Sequence, residues 1–278
     1  MKFVRFATAR HPQGVYGLVG GDGLIEVLRG GLFDAPECTG EVLKEGDIVR
    51  YLPPVDPPNI LAIGRNYYAH AMETSDHPPA APLLFIKANT ALSAHEANIV
   101  LPSAAPTRVD YEAELVAIIG RRAKNVPVEE ALDYVFGFTC GNDVSARDCQ
   151  AGDGQWARAK SFDTFAPMGP YVVTGLDPGD LLVQMRVNGE TMQQQSTKDM
   201  LFNVPCLVSY LSHSLTLMPG TALYTGTPSG VGIARKPPVL LKPGDVCEVD
   251  IAGVGVLRNR VVAEAQADGT CAGTMRLP

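Results

Sequence analysis

Val109-Asp110-Tyr111-Glu112-Ala113-Glu114-Leu115-Val116-Ala117-Ile118-Ile119-Gly120 is the stretch whose reading decides the fold. From Leu115 to Ile119 every residue is apolar and several are β-branched, so the segment reads as a strand entering a buried sheet. On a strand, side chains two positions apart share a face, with Cα atoms about 6–7 Å apart. Glu112 and Glu114 therefore project side by side. Two anions held beside a core must be neutralised, protonated or bound to a cation. The alternative is that both face solvent and pair with Arg121 and Arg122.

A third carboxylate, Asp143, stands where the apolar run Tyr134 to Cys140 gives way to turn chemistry at Gly141 and Asn142. Three carboxylates with no Cys or His beside them suit a hard, oxygen-loving ion: Mg²⁺ or Mn²⁺, with Ca²⁺ also accommodated.

Moving outward, residues 1–52 read as a small N-terminal β domain. Lys2 to Ala7, Val15 to Val19 and Leu24 to Val27 are its strands, with a tight turn at Gly20-Gly21-Asp22-Gly23. The proline-rich stretch Leu52 to Pro58 is stiff and extended and marks a boundary. Beyond it, residues 59–278 read as one larger domain. Its strand candidates are Asn59 to Gly64, Leu83 to Lys87, Ile99 to Leu101, Tyr171 to Thr174, Ala222 to Tyr224, Val246 to Ile251 and Gly255 to Arg260. Helices are fewer: a short one at Val128 to Tyr134 and a longer one at Leu201 to Leu215, the latter with apolar residues at helical spacing. The class is mixed α/β, mainly β.

The bulk properties narrow the function. The chain has 278 residues, 46% hydrophobic and 19% charged, with a formal charge of −7, which argues against a nucleic-acid surface. Its six cysteines are scattered without a Cys-x-x-Cys pair and read as reduced thiols rather than a zinc site or disulfide frame. No apolar run spans a bilayer and no signal peptide is evident, so the expectation is a cytoplasmic protein without membrane contact.

Several further groups carry chemistry. His70 and Glu73 follow a strand, share a helix face at i, i+3, and can hydrogen-bond; a carboxylate beside an imidazole sets its tautomer and raises its basicity. The polar, proline-containing segment Thr74 to Pro82 after them suits a mobile lid. Lys160 lies in a semi-apolar stretch after Trp156, where a fixed cation could stabilise an enolate or simply snorkel past the indole. Arg147 and Gln150 could grip a planar acid, or Arg147 could pair with Asp148. The loop Tyr224 to Gly232 lacks the lysine of a phosphate loop, but its backbone N–H groups and Thr227 could hold a small carboxylate. There is no Gly-x-Ser-x-Gly elbow of a serine hydrolase.

Jointly these segments resemble the fumarylacetoacetate hydrolase family. The likeness runs from about Asn59 to Val262 through Ile63-Gly-Arg-Asn-Tyr67 with His70 and Glu73, Glu112-x-Glu114, Asn142-Asp143 to Asp148 with Gln150, Trp156 to Lys160, and Thr225 to Gly232. It implies a β-roll domain, a homodimer, and a Mg²⁺ or Mn²⁺ site whose ligands are Glu112, Glu114 and Asp143. It also implies His70 and Glu73 as a water-activating dyad and Lys160 as the support for an enolate. Arg147, Gln150 and Thr227 would surround the substrate acid group. The largest family members carry a fourth carboxylate ligand near Asn66; here an amide stands instead. The implied activity is carbon–carbon hydrolysis of a β-diketo acid of the acylpyruvate or fumarylpyruvate type. The same apparatus serves hydroxymuconate-type or hydroxyheptadienedioate isomerisation and oxaloacetate decarboxylation. The non-enzymatic alternative is a binding protein stabilised by its ion; in that case chelation would take the fold with it.

Overall fold

A computed structural model describes residues 1–74, 77–104 and 107–264 of the protein. The Ala113–Ile119 strand is buried along its whole length, which is why its sequence runs apolar without alternation. Leu115, Ala117 and Ile119 enter one core cluster, while Val116 and Ile118 enter a second. The strand therefore separates two packed layers.

It is paired antiparallel on both sides, with Val135–Asn142 and with Ala222–Tyr224. The larger sheet continues from Ala222–Tyr224 to Ile60–Gly64 and Leu83–Lys87, and from Val135–Asn142 to Ala166–Val173. Five strands form the second sheet, in the order Glu190–Ser196, Leu182–Val187, Val246–Ile251, Gly255–Ala263 and Asn98–Leu101. Val183, Met185, Val249, Ile251 and Leu257 from that sheet join the first core cluster, so the two sheets share one apolar interior.

The N-terminal strands form as read, with the third displaced to Ile25–Arg29. At the turn, Asp22 Oδ1 accepts the Leu24 N–H at 3.0 Å. A fourth strand, Glu37–Leu43, was not anticipated; most of its residues are exposed and its pattern is polar, so burial offers little periodicity to detect. The N-terminal strands do not close a sheet of their own. Lys2–Ala7 pairs antiparallel with Ala166–Val173, bringing Phe3 opposite Val172, and the large sheet runs through both. Leu182–Val187 and Glu190–Ser196 were likewise missed: their glutamines interrupt the apolar signal although Gln193 is buried.

The longer helix spans Val204–Ser214 rather than starting at Leu201, because Asn203 Oδ1 caps it by accepting the Cys206 N–H at 3.0 Å. Val204, Leu207, Val208, Leu211 and Ser212 are its buried positions. Val128–Tyr134 is helical but tightens to a 3₁₀ helix with only Ala131 buried. The five described cysteines are free; Cys271 lies outside the described residues. Among the described residues, no helix is long and apolar enough to cross a membrane.

Candidate metal and active site

Strand register assembles the carboxylates. Ala113 pairs with Asn142, which sets Asp143 opposite Glu112, and the Asp143 N–H donates to the Glu112 carbonyl at 2.9 Å. Glu112 and Glu114 project from the same face as the spacing requires. All three side chains are buried, and each offers an oxygen within 4.8 Å of the others. The alternative pairing with Arg121 does not occur: that side chain lies over the Tyr134 ring and 4.0 Å from Asp133.

Buried cations surround the cluster. Lys160 Nζ donates to Glu112 Oε2 at 2.7 Å and to Asp143 Oδ2 at 2.6 Å, and is itself buried, not snorkelling. Arg147 Nη2 reaches Glu112 Oε1 at 2.6 Å, its Nε reaches Asp110 Oδ1 at 2.6 Å, and Nη1 donates to Gln150 Oε1 at 2.9 Å. Asp148, the partner considered for Arg147 from sequence, instead accepts from the Thr107 hydroxyl at 2.8 Å. Two members of the network escaped the sequence reading. Lys87, fully buried at the end of Leu83–Lys87, pairs with Asp143 Oδ1, and Asp110, also fully buried, anchors Arg147 and accepts the Ile233 N–H at 2.8 Å. A lysine closing the run Leu-Leu-Phe-Ile was the available signal for the first.

Burial and charge act differently on the members. Burial works against the anion of Glu112, but Lys160 and Arg147 outweigh it and hold this carboxyl well below its ordinary range. Glu114 is pushed far up, by burial and then by the negative neighbours Asp143 and Glu112; only the Gly226 N–H, 2.7 Å from Oε2, and Lys160 oppose that. Lys160 is raised because Asp143 and Glu112 overcome its burial, so it is a fixed cation and not a base. Burial pulls Lys87 down, with Lys160 adding like-charge repulsion against the pull of Asp143.

The donor set fits a hard divalent ion. Four buried carboxylates (Asp110, Glu112, Glu114, Asp143) face three buried cations (Lys87, Arg147, Lys160). With all four ionised the negative charge would exceed the positive by one, and Glu114 is the group without a cationic partner among the described ion pairs. A divalent ion held against Glu114 would relieve that excess and leave one positive charge for an anionic ligand. Asn66 supplies no fourth ligand. Its Nδ2 donates to the Phe202 and Thr225 carbonyls at 2.9 and 2.7 Å, and its Oδ1 accepts the Phe202 N–H at 2.9 Å.

Above the carboxylates opens a cavity of about 470 Å³, lined by His70, Glu73, Glu112, Glu114, Arg147, Gln150, Lys160 and Thr227 among others. Of the nine residues singled out from sequence, only Asp143 lies beneath it. The dyad sits on the helix Tyr68–Thr74, with His70 Nδ1 and Glu73 Oε1 2.9 Å apart. The Glu73 carboxylate also accepts the Gly230 N–H, at 3.0 Å to each oxygen, which docks this helix on the loop of residues 225–232. Residues 75 and 76 of the expected lid lie outside the described residues. Thr227 donates its hydroxyl proton to the Ala113 carbonyl at 2.9 Å and accepts from Gln193 Nε2 at 2.8 Å, so it can offer a ligand only an acceptor. Gly226 has φ +102°, and a Cβ there would lie 2.6 Å from Asn66 Cβ; glycine is required for its N–H to reach Glu114.

Comparison with known proteins gives this geometry a setting. The model of the fumarylacetoacetate (FAA) hydrolase C-terminal domain matches residues 59–262, and an Rv2993c-like N-terminal model matches residues 1–54. An uncharacterised protein of Archaeoglobus fulgidus is 50% identical over 77% of this chain and 82% of its own length. The mitochondrial oxaloacetate tautomerase FAHD2A of Bos taurus is 41% identical over 80% of this chain and 72% of its own. Among solved structures, 5-carboxymethyl-2-hydroxymuconate delta-isomerase from Mycobacterium smegmatis superposes with a TM-score of 0.86 at 37% identity, covering 95% of this chain and all of that one.

Proposed function

Because the chain belongs to the fumarylacetoacetate hydrolase family, we propose that it is a divalent-metal-dependent enzyme that moves a proton at the carbon beside the keto group of a small 2-keto acid, as a tautomerase or isomerase. The observation that carries this reading is the His70 imidazole, tied through Nδ1 to Glu73 and lining the same cavity as the three-carboxylate cluster. With Glu73 accepting from Nδ1, the basic lone pair falls on Nε2, the nitrogen free to take and return a proton. Glu112, Glu114 and Asp143 would hold Mg²⁺ or Mn²⁺, which when bound supplies Lewis-acid polarisation of the keto oxygen.

The chain's own groups do the rest. Lys160, held as a cation by Glu112 and Asp143, keeps one N–H for the oxygen on which negative charge develops. Arg147 retains two unspent N–H bonds after serving Asp110, Glu112 and Gln150, and these suit the substrate carboxylate. The Glu73 contact to Gly230 keeps the base in place.

Hydrolysis of an acylpyruvate carbon–carbon bond, the first expectation from sequence, is the second reading, since the same dyad can deprotonate water. Similarity to relatives named for tautomerisation and isomerisation supports taking proton transfer as the first reading. The test is proton NMR in D₂O with oxaloacetate and acylpyruvates, with and without Mg²⁺ or Mn²⁺. Metal-dependent deuterium entry at the carbon next to the keto group, without new acid products, is expected. Stoichiometric release of pyruvate together with a carboxylic acid from an acylpyruvate would favour the hydrolase, and neither exchange nor cleavage with any of these acids would refute both. Chelation should abolish exchange yet leave the fold melting cooperatively, which a purely structural ion would not allow.

A further inference from the structure

Two arginines at the cavity are unaccounted for by the chemistry above. Arg65 and Arg108 both line it, and among the described residues neither guanidinium has a carboxylate within 4.0 Å, whereas Arg147 in the same cavity has two. Arg108 is exposed, its carbonyl accepting the Arg147 N–H at 2.8 Å. Arg65 is half-buried, and its setting is more constrained.

Arg65 has φ +55°, the left-handed region that a long side chain seldom adopts. Its neighbours hold it there. Gly64 lies so close to Trp156 that a Cβ would overlap the indole, and Asn66 is locked by three hydrogen bonds to Phe202 and Thr225. This strained corner aims the guanidinium over Trp156, 5.6 Å from the ring centroid. Trp156 in turn meets Phe85 edge-on at 5.3 Å, and Lys160 Nζ lies 5.3 Å from the Phe85 centroid. A wall of two aromatic rings thus separates a cation at the carboxylate cluster from a second cation, unpaired, farther along the cavity. Stacking on a ring leaves the edge of a guanidinium free, and its paired N–H groups match a carboxylate.

The geometry points to Arg65 as the specificity-determining residue for a distal carboxylate, making the substrate a 2-keto diacid whose carbon chain lies along Phe85 and Trp156. This rests on the keto-acid reading above and adds to it the residue that selects a second acid group. No bond is made or broken at this subsite; it contributes binding only.

A matched pair of ligands tests it: 2-oxoglutarate and 2-oxopentanoate share the keto-acid head and chain length and differ in the distal carboxylate. Their affinities for the Mg²⁺-loaded full-length protein are measured by calorimetry, for wild type, R65N and R108Q. Asparagine tolerates the left-handed conformation, so R65N keeps the corner folded. Wild type is expected to bind the diacid about tenfold or more tightly than the monoacid, the scale of one charge-assisted pair. R65N should lose that preference by weakening the diacid, with the monoacid moving less than about threefold. Equal binding of the two acids by wild type, equal weakening of both in R65N, or loss of the preference in R108Q alone would overturn the assignment. Failure of both acids to bind the metal-loaded protein would instead sink the keto-acid reading, and this proposal with it.

Discussion

Replacing Lys87 by methionine probes the balance of charge under the cavity. Lys87 is completely buried and its ammonium sits on Asp143, itself completely buried. Methionine approximates the volume of the lysine stem, so the loss is of charge and not of packing. Removing one partner of a buried ion pair costs about 3–5 kcal/mol, because the other charge is left uncompensated. Asp143 still accepts from Lys160 at 2.6 Å, which places the expected loss near the lower end, about 3 kcal/mol. For a chain of this size that corresponds to a melting point roughly 6–12 °C lower. The assay is thermal melting of wild type and K87M at pH 8, first with chelator and then with saturating Mg²⁺. A divalent cation held by the same carboxylate replaces the missing charge, so the gap should narrow markedly with the ion present. A K87M protein that melts like wild type in chelator would show that Lys87 does not compensate Asp143. A gap unchanged by Mg²⁺ would show that the ion does not share that carboxylate, and either result would refute the electrostatic argument.

His70→Ala should retain Mn²⁺ binding by electron paramagnetic resonance yet lose about 10²–10⁴-fold in exchange or turnover, the range for removing a general base. Burial, then Asp143 and Glu112, push the Glu114 carboxyl well above the usual carboxylate range, so protons compete with the metal for this ligand. Affinity should therefore fall as the pH is lowered, and calorimetry in buffers of different ionisation enthalpy should register the displaced proton; a buffer-independent heat would contradict it. Glu114→Ala should lose metal and activity together. Gly226→Ala adds a Cβ 2.6 Å from that of Asn66 in a left-handed backbone, and should weaken metal binding by displacing the N–H that holds Glu114, measured by the same titration.

Much of this protein could be read before any coordinates. The all-apolar run after Glu114 announces a strand covered on both faces, because only complete burial tolerates such a run. The Glu112–Glu114 spacing sets both side chains on one face of that strand, since the period of a strand is two. What lay outside such local rules was every relation between distant segments. No periodicity connects Lys2–Ala7 with Ala166–Val173, yet their pairing merges the N-terminal strands into the large sheet; long-range partners are chosen by packing of the whole chain. The carboxylate cluster depended on the register that sets Asp143 against Glu112. Lys87 and Asp110 became part of the site only because folding buried them against opposite charges, and a buried ion is specified by its partner in space rather than by its neighbours in the chain. The amino-acid order thus determined which strand bears the acids and which face they share. The tertiary structure alone decided which cations answer them, because electrostatic compensation acts over distance through the folded interior.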